Sequence, residues 1–344
     1  MKISGTSFTS IWYEEATDRI LYIDQTRLPW ELAVREMKTF EDGIRAIADM
    51  EVRGAPLIGV AAAFALYAGV REKGGSLSRI TEMGTRLVAT RPTAVNLAYA
   101  VKEILNIAES ENPVDFSNYP SLLLKKAIEI RESEYNCSRL IGEHGIKLIR
   151  EVADHKDGRT VNILTHCNAG WLATVDYGTA LAPIYLAHDS GIPVHVWVDE
   201  TRPRNQGAKL TVYELTQHGV PNTLIVDNAG GLLMQQGKVD LVIIGADRIT
   251  ANGDAVNKIG TYLKALAAFD NQVPFYVAAP ASTFDSTTAT GAAVVIEERG
   301  DEEVLFINNQ LSPIAPAGTR VHNPGFDITP SRLITAYITE SGVS

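Results

Sequence analysis

The residues whose types and spacing could carry chemistry fall at the ends of short apolar runs. Residues 239–244 (VDLVII) are rich in Val and Ile, the composition of a strand buried on both faces of a parallel sheet. Gly245 and Ala246 end the run, and Asp247 and Arg248 follow at its carboxyl edge. Ligands of open α/β sheets bind at that edge, so Asp247 is placed to act as an acid or base rather than to pack. Gly253 allows a tight turn, after which Asn257 and Lys258 are expected to open a helix. Free backbone N–H groups, the positive end of the helix dipole and an ammonium would together suit a phosphate. An Asp after a strand is also a common turn former, so the acid gains weight from its company.

Cys167 is the first companion. It follows the apolar run 161–164 and precedes Asn168-Ala169-Gly170, so it is expected at the start of the next helix, where the dipole would favour thiolate. His166 is adjacent, but neighbours leaving a strand point to opposite faces, so the two are not expected to touch. With no metal-ligand spacing among the Cys and His residues, no metal is expected. In Arg53-Gly54-Ala55-Pro56 the proline suits the first helical position, the glycine lets a ligand approach the backbone, and Arg53 can clamp an anion. Arg91 repeats that grammar before Pro92. Gln206, in residues 200–207 (ETRPRNQG), offers an amide to sugar hydroxyls, while Arg202 and Arg204 have Asp199 and Glu200 as pairing partners nearby.

Such residues need a scaffold that gathers them. From residue 161 strands and helices alternate at intervals of about 30 residues, the pattern of a doubly wound sheet. Strands are expected at 161–164, 194–198, 223–226, 241–244 and 274–278, each ending in polar residues that would share one rim. The fold class is therefore α/β, a Rossmann-like parallel sheet domain (119–344) with a smaller amino-terminal α+β domain (1–118). The latter combines a small antiparallel sheet, around 20–24 and 32–37, with helices, the first capped by Thr39. A helix is expected over about 121–153, and residues 109–119, broken by Pro113, read as a connection. No G-x-G-x-x-G follows any strand, which argues against a nicotinamide cofactor. Residues 321–327 read as a turn-rich loop without a catalytic role, before a last helix near Ser331.

Composition narrows the function classes. A chain of 344 residues, 45% hydrophobic, can bury a sizeable core, and a net charge of −10 argues against a nucleic-acid partner. Two distant cysteines without a signal peptide point to a reducing, cytoplasmic setting. The apolar run 57–70 is shorter than the roughly 20 residues of a membrane span and reads as a buried helix.

The motifs at 53–59 (RGAPLIG), 90–96 (TRPTAVN), 165–170 (THCNAG), 199–211 (DETRPRNQGAKLT), 245–262 (GADRITANGDAVNKIGTY) and 322–330 (HNPGFDITP) resemble those of the S-methyl-5-thioribose-1-phosphate isomerases of methionine salvage. The resemblance runs through nearly the whole chain. It implies a homodimer, a site without metal or cofactor, a catalytic pair of Cys167 and Asp247, and substrate held by Arg53, Gly54, Ala55, Arg91, Gln206, Asn257 and Lys258. This chain departs from the family's DNMAA at 227–231 (DNAGG), a change expected to reshape the pocket near the sugar's 5-substituent. A 5-deoxyribose 1-phosphate isomerase, a ribose 1,5-bisphosphate isomerase and a non-catalytic regulatory subunit of the translation-initiation exchange factor are the alternatives of the same fold.

Overall fold

The computed structural model describes residues 1–91, 95–110, 118–307 and 312–344. Pro92 and the expected connection, for residues 111–117, lie outside the described residues.

Near the amino terminus, strands Ile11–Glu14, Arg19–Asp24 and Ala33–Glu36 form the expected antiparallel sheet. Thr39 caps the helix Phe40–Ala48: its hydroxyl accepts from Asp42 N at 3.2 Å while its own N–H donates to the Asp42 carboxylate at 2.9 Å. Thr39→Ala is therefore expected to cost about 1 kcal/mol in urea unfolding, and a loss below about 0.3 kcal/mol would show the cap to be redundant.

The helix Ala55–Lys73 is buried from Ala55 through Val70. It is long and apolar enough to cross a membrane, yet other helices surround it. Its small residues permit that approach: a Cβ on Gly59 would lie 2.8 Å from the Asn96 carbonyl oxygen. A 37-residue helix, Tyr119–His155, then links two cores. Leu123, Ala127 and Ile130 pack with the amino-terminal helices, whereas Ile141, Ile146 and Ile149 pack against the main sheet.

That sheet runs in the order Gly342–Val343, Ala336–Thr339, Phe275–Ala278, Leu241–Ile244, Val161–Thr165, Val194–Asp199, Asn222–Ile225, with only the first strand antiparallel. Alternate side chains divide between the faces: Ile163 and Ile243 join the core under the long helix, and Leu164, Val242 and Ile244 the core on the other side. The five expected strands are all present. The expected last helix is not: Ser331–Leu333 makes one 3₁₀ turn, and the chain ends in two strands. β-branched and aromatic residues in AYIT, docked beside Phe275–Ala278, outweigh helix propensity there.

The order of strands decides where chemistry is possible. After Val161–Thr165 the chain lays down the next two strands on one side, then returns to place Leu241–Ile244 on the other. The crevice of a doubly wound sheet opens at such a reversal. Ile163 pairs with Leu241 and Leu164 with Val242, so these two strands deliver Cys167 and Asp247 to the same crevice.

Candidate active site

Cys167, Asp247, Arg53, Gly54, Ala55, Arg91, Gln206, Asn257 and Lys258 all line one cleft of about 790 Å³, counting its open mouth. That is within the range of small-molecule sites.

Cys167 does not begin a helix. It sits in a left-handed turn (φ 63°), and only a 3₁₀ turn, Trp171–Ala173, follows before the next α-helix at Ala182. The turn is pinned from both sides: Cys167 N donates to Thr201 Oγ1 at 2.8 Å, and Thr211 Oγ1 donates to Cys167 O at 2.7 Å. Without a helix dipole, burial pushes the thiol above its ordinary value, against the pull of Lys258 and Arg53. Alkylation by iodoacetamide at pH 7 is accordingly expected to be slower than for a free cysteine, with the rate still rising at pH 9. A plateau below pH 8 would restore the thiolate expected from the sequence.

Asp247 leaves its strand with its N–H donated to Val256 O at 2.9 Å. Burial raises its carboxyl above the usual range, although Lys258, Arg91 and Arg53 oppose the shift. Asn257 and Lys258 do not open a helix either. They end the strand Ala255–Lys258, flanked by Arg248–Thr250 and Phe326–Thr329, and the helix begins only at Thr261. Gly253 (φ 87°) reverses the chain into a hairpin instead. The cation offered here is thus a side chain, not a helix end. Lys258 Nζ donates to Gly325 O at 2.8 Å and lies 4.2 Å from the centre of the Phe326 ring.

Arg53 reaches the cleft from the amino-terminal half. Its Nε donates to Gln25 Oε1 and its Nη1 to Asn168 O, both at 3.1 Å, and Nη2 donates to Asn168 Oδ1. All these acceptors are neutral, so the guanidinium keeps its charge for the cleft. Asn168 is itself held by Thr211 and by Glu214, a buried carboxyl pushed up to about 7 by desolvation. Arg91 ends the helix Leu77–Thr90, and its Nε is buried without a hydrogen-bond partner among the described residues. Gln206 Oε1 is likewise unpartnered. Among the described residues neither Arg53, Arg91 nor Lys258 has a carboxylate within ion-pairing distance, which leaves three cations for an anionic ligand.

Sequence reasoning passed over several cleft residues. Arg204 and Arg299 also line it, tied to Glu303 at 2.8 and 2.7 Å, so that Arg204 pairs there and not with Asp199 or Glu200. Arg299 lies in a charged stretch, EERGDEE, that reads as solvated surface. Phe326 belongs to the loop given no catalytic role, yet it forms a cleft wall. Residues 227–231 do not line the cleft: Gly230 packs near Leu164 and Lys264, so the DNAGG departure forms no wall of the pocket.

A second recess of about 490 Å³ shares Gly54, Ala55, Arg91, Asp247 and Phe326 with the cleft. Its further walls are mostly apolar, from Ile58, Val256, Val294, Val295 and Ile296, and its remaining cation, Arg248, pairs with Asp285 at 3.3 Å.

Comparison with known proteins places these features in a lineage. Residues 51–344 match the initiation factor 2 subunit family. Methylthioribose-1-phosphate isomerases from Methylobacterium nodulans and Rhizobium meliloti are 52% and 51% identical, each covering 100% of this chain and 95% and 96% of their own length. A crystal structure of 5-methylthioribose 1-phosphate isomerase from Pyrococcus horikoshii superposes with a TM-score of 0.87 at 37% identity, covering 98% of this chain and 92% of that one. A structure described as translation initiation factor eIF-2B subunit delta from A. fulgidus gives a TM-score of 0.83 at 40% identity, over 98% and 96%. The chain belongs to the initiation factor 2 subunit family and, within it, to the methylthioribose-1-phosphate isomerases.

Proposed function

We propose that this protein converts 5-methylthioribose 1-phosphate to 5-methylthioribulose 1-phosphate, a step of methionine salvage. The observation that carries the reading is a thiol and a carboxyl, delivered by two adjacent strands to one cleft that also holds three cations without carboxylate partners among the described residues. Arg53, Arg91 and Lys258 take the phosphate, assisted by Asn257, Gln206 and the backbone at Gly54 and Ala55.

The anomeric oxygen bears phosphate, so the ring cannot open as a free sugar does. Asp247 gives a proton to the ring oxygen as the ring C–O bond breaks, and Cys167, reacting in the thiolate form that Lys258 and Arg53 favour against burial, takes the proton from carbon 2, leaving an enediol phosphate. The carbon 2 hydroxyl then returns a proton to Asp247 while the Cys167 thiol protonates carbon 1, forming the ketone. Both groups end as they began, and the sequence calls on neither metal nor cofactor.

Exchange of the Cys167 proton with solvent before it reaches carbon 1 is expected to place some deuterium there when turnover runs in deuterated water. Incorporation at any level excludes a hydride shift, whereas no incorporation together with near-normal turnover by Cys167→Ser would replace proton transfer by a hydride shift.

The apolar recess beside Asp247 suits a methylthio group better than hydrogen or a second phosphate. An apolar group of that size in such a pocket is worth about 10-fold or more in kcat/KM. Methylthioribose 1-phosphate should therefore outrun 5-deoxyribose 1-phosphate by about that factor, and equal rates would remove the recess from the account. A non-catalytic regulatory subunit would bind the sugar phosphate without forming ketose in the same assay. On this reading the enzyme is a cytoplasmic homodimer, in keeping with two free thiols, and light scattering should give twice the 37.4 kDa chain mass.

A further inference from the structure

We propose that His166 is a positioning residue that keeps the Cys167 turn and the Lys258 strand in register across the cleft. The inference rests on the isomerase reading above.

The His166 side chain is fully buried. Its Nε2 lies 2.9 Å from the Ile259 carbonyl oxygen, and its Nδ1 lies 2.9 Å from Asp199 Oδ2. A carbonyl can only accept, so Nε2 carries a hydrogen. Asp199 Oδ2 also receives Lys264 Nζ at 3.1 Å, which marks it as a carboxylate, so Nδ1 carries a hydrogen too. The ring is a two-ended donor.

Each end reaches one side of the reaction. Ile259 is the residue after Lys258, whereas Asp199 O accepts from Thr201 Oγ1 at 3.1 Å and that hydroxyl accepts from Cys167 N. Gly260 suits the arrangement: at φ 101° a side chain would be strained, and its Cβ, 3.0 Å from the imidazole, would press on the ring.

His166, Asp199 and Asp227 also approach closely enough to suggest a metal site. Lys264 speaks against it: its ammonium contacts both Asp199 and the Asp227 carbonyl, while the Asp227 carboxylate accepts from Thr201 N and Arg202 N. A buried ammonium already supplies the balancing charge.

The two ends can be cut separately. In His166→Gln the amide nitrogen stands near the place of Nε2 and keeps the Ile259 bond, and in His166→Asn it stands near Nδ1 and keeps the Asp199 bond. Groups that orient a reacting side chain are commonly worth about 10–100-fold. His166→Gln is therefore expected to lower kcat about 10-fold or more with KM within about 3-fold. His166→Asn is expected to raise KM more than it lowers kcat, because it frees the strand that carries Lys258.

A purely structural role would lower the melting temperature of both and leave kcat and KM of the folded protein unchanged; that result, or an identical kinetic change in both, would overturn the proposal. Should neither variant fold, the wild-type protein labelled with ¹⁵N-histidine still decides: two protonated nitrogens on the His166 ring support the two-ended donor, and one bare nitrogen refutes it. A wild type that forms no ketose sinks the isomerase reading alone. The labelled ring, with the affinity of each variant for the sugar phosphate, then tests the bracket by itself.

Discussion

Asp247→Asn and Cys167→Ser are each expected to lower kcat by about 100-fold or more while leaving the melting temperature within a few degrees. Asparagine matches the carboxyl in shape, but it has no acidic proton to give the ring oxygen and cannot take one back from the carbon 2 hydroxyl. Serine keeps a hydroxyl where the thiol stood, and its far higher pKa makes it a poor base for a carbon-bound proton. The effects should not add, because a reaction that needs both groups is nearly lost when either is gone; the double variant is expected to lie within about 10-fold of the worse single one. Retention of more than a tenth of wild-type kcat in either single variant would remove that residue from the chemistry. An unchanged KM alongside the lost kcat would place the phosphate contacts elsewhere, on Arg53, Arg91 and Lys258.

The second large effect is on the backbone. Gly54→Ala is expected to cost about 3 kcal/mol or more in unfolding free energy and to weaken substrate binding in whatever protein folds. Gly54 has φ 99°, a conformation alanine adopts only under strain of about 1–3 kcal/mol. A Cβ there would also meet the Ala173 carbonyl oxygen at 2.4 Å and Ala173 Cα at 2.6 Å. Backbone atoms cannot rotate aside as a side chain can, so the contact forces the helix Ala55–Lys73 away from the Trp171–Ala173 turn, at about a further 1–3 kcal/mol. That separation would carry Arg53 off Asn168 and away from Cys167. Urea unfolding tests the first part, and a destabilisation below about 1 kcal/mol would show that the two halves yield easily at this contact.

Much of this architecture was legible in the linear chain. Short Val- and Ile-rich runs at a βα spacing dictate parallel strands, and parallel strands place their carboxyl ends along one edge. That is why Cys167, Gln206 and Asp247, read one by one as strand-end residues, stand around one cleft with Arg53 and Arg91. The proline after Arg53 and the Thr39 cap are equally local signals, and the helices begin where those signals place them.

Other features depended on partners far away in the chain. Local sequence does not specify which strands become neighbours; only the packing of both sheet faces puts Val161–Thr165 beside Leu241–Ile244 and so brings Cys167 near Asp247. Lys258 reads as a helix opener, yet pairing with Phe326–Thr329 holds it in a strand. Cys167 reads as dipole-activated, yet Thr201 and Thr211 fix it in a turn where loss of water dominates its proton affinity. Arg299 and Phe326 reach the cleft from segments whose composition suggests only surface and loop. Periodicity and capping act over a few residues, so they settled the elements and the rim. Strand order, burial and charge balance are sums over the whole molecule, and the tertiary structure alone decided them.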